Sequence, residues 1–318
     1  MRLRKTSFRQ NTVIHIYQNT VEGGLIFYSE VDFIVFYTLF CTLAIKYRIR
    51  VLGLCLMVDH FHVLLIAESY DDMRDFIKEC TRLYSRAFNK DVKRKGKLFK
   101  SSFGFASKKY DKNVRTAIAY LYNNPVEKQL TVRAIDYKWN FLAYSIDKYP
   151  FSEKIVLRRS SWALRRAVES VRAVYHKGKP LNYALLRRVM GKLEKGEKDS
   201  LIDYIVSLYN IIDYDKTVSY FGNFEKMVIA IEANTGSEYE IKEDRSVKSD
   251  VPYRRMVKFV RENGYAENIK EVIMLESNQK IVLINGIPYE DGITSFHIQK
   301  FFHLPMAKSN NISARNSN

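Results

Sequence analysis

Hydrophobic positions in the first half of the chain repeat with two different periods, and the order in which the periods alternate predicts an architecture. Thr12 to Gln18 (TVIHIYQ) is rich in β-formers and runs into a turn at Gly23 and Gly24, which predicts a strand. Glu30 to Tyr47 carries apolar residues at helical spacing, long enough for about five turns. Arg50 to Met57 (RVLGLCLM) and Phe61 to Ala67 (FHVLLIA) read as apolar strands joined through Val58, Asp59 and His60. Asp71 to Asn89 places Met73, Phe76, Ile77, Cys80, Leu83, Tyr84 and Ala87 on one helical face. After a basic connector, Phe103 to Ser107 predicts a strand and Asp111 to Asn124 a third helix, stopped by Pro125. Strand, helix, strand, strand, helix, strand is the order of a ferredoxin-like (split βαβ, RRM-like) domain, an α+β fold with an antiparallel sheet. Many functions share that fold, so it assigns none.

Beyond about Pro150 the pattern changes. Lys154 to Lys198 is helix-like and basic, with the pairs Arg158–Arg159, Arg165–Arg166 and Arg187–Arg188, and Gly178 and Pro180 divide it into two helices. Leu201 to Asn234 reads as helical, Ser237 to Ser249 as a polar loop, and Pro252 to Leu283 as a helix followed by a mixed segment. Thr294 to His303 predicts a last helix before Pro305, and Lys308 to Asn318 a disordered tail poor in apolar residues. The division expected is therefore a first domain over 1–150, a mainly α-helical basic accessory region over 151–307, and a tail over 308–318. No internal repeat is visible.

Composition narrows the partners. A formal net charge of +17 and a pI near 9.6 favour a polyanion, nucleic acid or an acidic membrane surface. The membrane reading fails on length: the longest uncharged apolar run, Phe33 to Ile45, is too short to span a bilayer and contains Thr38 and Thr42. The basic N-terminus has no apolar stretch behind it, so no secretory signal is expected. Cys41, Cys55 and Cys80 lack metal spacing and read as buried free thiols of a cytoplasmic protein.

Two short constellations carry candidate chemistry. In a strand, residues two apart share a face, so His60 and His62 can present two imidazoles together while Phe61 points into the core. Such a pair begins a divalent metal site, or is simply two histidines near a strand end. In Tyr120-Leu121-Tyr122-Asn123-Asn124-Pro125, Tyr120 and Asn124 stack on one helical face as i and i+4. A phenol beside an amide oxygen suits phosphoryl transfer, the amide completing a metal shell; an ordinary amphipathic helix end is the other reading.

Taken in order, VIHIYQNT, LMVDHFHVLL, KGKLFKSSFGFA and IAYLYNNPVEKQL resemble the HUH superfamily of single-strand DNA nucleases. The likeness is specifically to the REP-associated tyrosine transposases and their insertion-sequence relatives, from about Thr12 to Tyr144. The resemblance implies that His60, His62 and Asn124 bind Mg²⁺ or Mn²⁺. It implies that Tyr120 attacks a DNA phosphate, leaving a 5′-phosphotyrosine and a free 3′-hydroxyl, on single-stranded DNA presented beside a hairpin. It leaves monomer and homodimer both open, and implies a nucleoid-associated location. Asp59 departs from the family, which usually has Asn there, and the long region after Tyr144 is absent from many relatives. A replication initiator or relaxase is the rival enzyme, and a domesticated, non-catalytic DNA-binding repressor the rival from another class.

The basic segments divide between DNA contact and solvated surface. Lys93, Arg94, Lys95, Lys97 and Lys100 would grip a DNA backbone near the site, and Arg158, Arg159, Arg165 and Arg166 would hold a hairpin or flanking duplex. Phe99, Phe103 and Phe105 read as core rather than base-stacking residues. The helix at Thr294 to His303 suggests a DNA-reading helix of the helix-turn-helix type. His15, His176, His297 and His303 have no partner spacing and read as structural or exposed.

Overall fold

The computed structural model describes residues 8–233, 249–266, 268–288 and 292–304. Strand β1 (Val13–Asn19), helix α1 (Glu30–Lys46), β2 (Arg50–Leu56), β3 (His60–Ile66), α2 (Tyr70–Asp91) and β4 (Gly104–Lys108) follow in the expected order. They build a four-stranded antiparallel sheet, β2-β3-β1-β4, with β1 and β3 central. Register sorts the faces: Ile14 pairs with Leu65 and Ile16 with Val63, while Tyr17 pairs with His62 and Asn19 with His60. The first set packs with Phe61 under α1 and α2, where the Phe61 ring lies 4.9 Å from Phe36. The second set lies on the opposite face, where α3 (Asp111–Glu127) packs. Gly53 of β2 faces α3, where a Cβ would make ordinary contact with Leu121 at 3.4 Å and the Tyr122 hydroxyl at 3.5 Å.

Helix α3 does not stop at Pro125 but runs through it to Glu127. So near the C-terminus the missing proline N–H removes one backbone bond from a helix already ending. The turn is closed by Lys128 N–H to Asn124 O at 3.1 Å and Leu130 N–H to Pro125 O at 2.9 Å. Gln129, at φ 58°, supplies the left-handed residue that ends the helix.

The second half is helical, with more breaks than the sequence pattern predicts. Lys154 to Lys198 contains α4 (Trp162–Tyr175), α5 (Tyr183–Met190) and the start of α6 (Lys195–Tyr209), so three helices replace the expected two. The missed break is a capping box in which Glu194 and Glu197 serve each other's backbone N–H groups. Helices α7 (Tyr214–Ser219), α8 (Phe224–Glu232), α9 (Val251–Glu262), α10 (Ser277–Gly286) and α11 (Ser295–Phe302) follow, with a 3₁₀ turn at Ile269–Met274. The expected loop at Ser237–Ser249 lies, except for Ser249, outside the described residues, as does the expected tail from Lys308. No described helix is long and apolar enough to cross a membrane, and Cys41, Cys55 and Cys80 are buried free thiols.

These helices close around the sheet and share one continuous core with it. Helix α1 is apolar on most of its surface because it is covered on opposite sides up to its last turn: the sheet and α2 pack inside, α5 and α6 outside. Tyr37 donates to Val206 O at 3.1 Å, and Thr38 Oγ1 accepts from Leu181 N–H at 3.1 Å. The β2 edge is covered too, by a bridge from Ile212 to Val51 and by Thr217 donating to Leu52 O at 2.7 Å. Helix α11 buries His297, Ile298, Lys300, Phe301 and Phe302, with His297 against Tyr253 and Phe301 against Tyr28, so this face is not open to a DNA groove. Its C-cap, His303, donates from Nε2 to Leu25 O at 2.7 Å, and burial pushes its imidazole down to about 4.

A further tie is ionic. Lys270, 1% exposed, lies 2.7 Å from Asp32 Oδ1 of α1 and 2.7 Å from Asp91 Oδ2 of α2, with its ammonium 3.4 Å from the Tyr183 ring centre. Tyr183 also donates to Asp32 Oδ1 at 2.9 Å, Arg187 pairs with Asp91, and the backbone N–H groups of Tyr28 and Ser29 complete Asp32. The charges are buried but each is compensated.

Two outcomes follow from these contacts. Lys270→Met strands two buried carboxylates and is expected to cost about 3–5 kcal/mol in a denaturant titration. For His303 the folded value lies below the unfolded one of about 6.5, so the unfolded chain takes the proton first on acidification. Its contribution is present above about pH 6.5 and is lost on the way to pH 4, up to roughly 3 kcal/mol at 1.36 kcal/mol per pH unit. Melting curves of His303→Gln should show a flatter fall over that window.

Candidate active site

The strand β3 begins at His60, and its alternation puts His60 and His62 on the α3 face with ring centres 5.1 Å apart and planes at 87°. Phe61, between them, is fully buried on the other face, as the strand period requires. His62 is itself fully buried, so both of its ring nitrogens need partners within the protein. Nδ1 lies 3.1 Å from His15 Nε2, and Nε2 lies 3.4 Å from the Asn124 side-chain nitrogen.

His15 is the neighbour of the candidate site that the sequence pattern missed. It is fully buried on β1, two residues from Tyr17, which pairs with His62 across the sheet. Its ring centre lies 5.3 Å from His62 and 5.9 Å from Tyr120. A bond in which His62 donates Nδ1–H to His15 leaves the lone pair of His62 Nε2 directed towards α3.

Asp59, where the resembled family has Asn, performs the same service for His60. Its Oδ1 lies 2.6 Å from His60 Nδ1, and its Oδ2 accepts from Lys300 Nζ at 2.9 Å. Burial would raise the Asp59 carboxyl, but the Lys300 ammonium and His60 outweigh it and hold that group well below the ordinary carboxylate range. Asp250, the residue before α9, takes the opposite course: burial and then the Asp59 charge push it up to about 7. Its Oδ2 has no hydrogen-bond partner among the described residues.

Helix α3 brings up the remaining pair. Tyr120 and Asn124 are one turn apart, and the Tyr120 ring stands 5.7 Å from His62 at 90°. Tyr120 is 2% exposed and Asn124 1%, so the cluster is closed to solvent. Tyr122 turns away and is fully buried near Gly53. Asn124 Oδ1 is buried without a hydrogen-bond partner among the described residues, although Nδ2 faces His62. Among the described residues no three His, Cys, Asp or Glu side chains converge as a metal cluster; the donor set here is two imidazoles and an amide.

The basic residues separate into three groups. Lys93, Lys95, Lys97 and Lys100 are exposed on the connector between α2 and β4. Arg94 is folded back, donating to Asn89 Oδ1, Gly96 O and Lys97 O, and so braces the loop instead of standing free. Arg158, Arg159, Arg165 and Arg166 are exposed, the last two on α4. Phe99 is core as expected, while Phe103 and Phe105 are half-buried against it. Of the other histidines, His176 is exposed and His297 and His303 are structural.

Residues 14–124 match the family described as Transposase IS200 like. The matched segment starts in β1 and ends at Asn124, so it holds His15, Asp59, His60, His62 and Tyr120 and stops short of every accessory helix. A solved structure of a REP-associated tyrosine transposase bound to a REP hairpin is similar at 12% identity and a TM-score of 0.40. It covers 46% of this chain and 86% of that one, a likeness too low to carry the assignment. No curated protein matches the chain. The family match therefore makes the segment from β1 to the tyrosine-bearing helix α3 similar to the IS200-like transposases.

Proposed function

We propose that this protein cleaves and rejoins single-stranded DNA, with Tyr120 as nucleophile and a Mg²⁺ or Mn²⁺ ion held by His60, His62 and Asn124. The reading is supported above all by the meeting of these four side chains between β3 and α3, inside the segment that matches a transposase family. The donor set fits a cation: Asn124 keeps a buried oxygen without a partner, and its amide lies 3.4 Å from His62 Nε2. The 3.4 Å contact is made by the amide nitrogen, so Asn124 would have to turn its amide over to offer Oδ1 beside His62 as a ligand. When bound, a divalent ion supplies Lewis-acid polarisation of the scissile phosphate.

The chain's own residues do the rest. The Tyr120 oxygen forms the bond to phosphorus and the bond from phosphorus to the 3′-oxygen breaks. The phenol gives up its proton and the departing 3′-oxygen gains one. The phosphotyrosine then conserves the bond for attack by another 3′-hydroxyl, so no nucleotide is consumed. His15 and Asp59 fix which nitrogen of each histidine faces the reacting centre. Tyr120 and His62 are both closed off here, so a phosphate reaches them only when α3 or its cover is displaced.

The exposed connector lysines and the α4 arginines supply the sequence-independent grip on DNA. Along α4, α5 and the turn after it, Trp162, Arg166, Arg188 and Lys192 line a groove of about 260 Å³, with the Arg166 guanidinium 5.7 Å from the exposed Trp162 ring. Cation, aromatic face and groove together suit an unpaired strand.

End-labelled single-stranded hairpin DNA with Mg²⁺ or Mn²⁺ should yield a covalent protein–DNA adduct that EDTA prevents and Tyr120→Phe abolishes. DNA binding without any adduct across a broad substrate panel would instead favour the non-catalytic repressor. Removing both α4 arginines (Arg165→Ala with Arg166→Ala) should weaken binding and lower the salt slope by about 1.4 for a single strand, if each neutralises one phosphate.

A further inference from the structure

We propose that Lys300, on the last described helix and 241 residues from its partner, is a positioning residue of the active site: through Asp59 it fixes the orientation and tautomer of His60. The proposal rests on the metal-binding reading above. It adds that the site is completed by a helix outside the segment that carries the family match.

Three observations converge. First, the contact is a buried relay: Lys300 Nζ to Asp59 Oδ2 at 2.9 Å, then Asp59 Oδ1 to His60 Nδ1 at 2.6 Å, with Lys300 and Asp59 side chains 10% and 12% exposed. An ammonium can only donate, so Oδ1 is left to accept from Nδ1–H, and the lone pair of His60 stays on Nε2. Second, β1 and α1 are joined by a turn shaped to admit Lys300. At Gly23, φ 68°, a Cβ would lie 2.6 Å from Lys300 Cε; at Gly24 it would lie 2.8 Å from the His303 ring. The Leu25 N–H also donates to the Lys300 carbonyl at 3.2 Å, which registers α11 against that turn. Third, Asp59 puts a nearly buried negative charge beside His60, a candidate ligand. Lys300 is the cation that balances it.

Without Lys300, Asp59 keeps a buried oxygen unsatisfied and an unbalanced charge. It is then free to turn from His60 Nδ1 towards any cation in the site. Loss of an outer partner of a ligating histidine typically weakens metal binding by about 10–100-fold.

The test is Mn²⁺ binding to the full-length protein, followed by the electron paramagnetic resonance of free Mn²⁺. Lys300→Met should bind at least about tenfold more weakly than wild type, and Lys300→Arg, which keeps the charge and a donor, within about threefold. Thr217→Val removes the buried bond to Leu52 O, destabilises the fold away from the histidines, and should bind as wild type does. Wild-type affinity in Lys300→Met overturns the proposal, and so does an equal loss in Thr217→Val or in folded Lys300→Arg. A wild-type protein that binds no Mn²⁺ overturns the underlying metal reading instead, so the two failures are distinct.

Discussion

Two carboxylates, Asp32 and Asp91, share a dry space in this protein only because an ammonium stands between them. Asp32 belongs to the first turn of α1 and Asp91 to the last turn of α2, so Lys270 ties the outer ends of the two helices that cover one face of the sheet. Tyr183 and Arg187 bring α5 to the same point. A buried ion group is weak evidence of net stability, since apolar residues of equal volume often serve as well. Its value here is in specifying arrangement: the 3₁₀ turn at Ile269–Met274 is docked so that one ammonium reaches both acids. With that turn set, α11 follows in its place against Gly23 and Asp59.

The candidate-site face obeys a simpler constraint, the period of two along β3. Because Phe61 is anchored among Phe36, Tyr84 and Phe99 on one side, His60 and His62 have no choice but the other. A slip of one residue would exchange them. The same pleat in β1 brings His15 beside His62, so a rigid central pair of strands, and not a loop, sets the spacing of the imidazoles. Charge is then distributed around them by burial: Asp59 is kept ionised by Lys300, while Asp250 close by is pushed up to about 7.

Most of the first half was legible because its physics is local. Periods of 3.6 and 2 located α1, α2, α3 and all four strands within a few residues, and spacing alone put His60 with His62 and Tyr120 with Asn124. What escaped was set by contacts between distant residues. His15 looked isolated because nothing in its own segment says which strand it pairs with. Asp59 looked like a departure because the cation that explains it is 241 residues away. Arg94 reads as a phosphate ligand by composition, yet the left-handed turn at Lys93 and Gly96 folds it onto its own loop. The last helix reads as a groove binder by composition, yet Phe301 and Phe302 commit it to the core.

The buried lysine also sets an order on synthesis. A ribosome delivers α1 and α2 long before Lys270, at roughly 5–20 residues per second, so the two acids wait many seconds for their counter-ion. Through that interval Asp91 can meet Arg187 once α5 is made, and Asp32 has Tyr183 and two backbone N–H groups, so each acid is served separately. A chain cut before residue 270 lacks the single ammonium that joins the two, and with it the group that ties the far end of the sequence to α1 and α2.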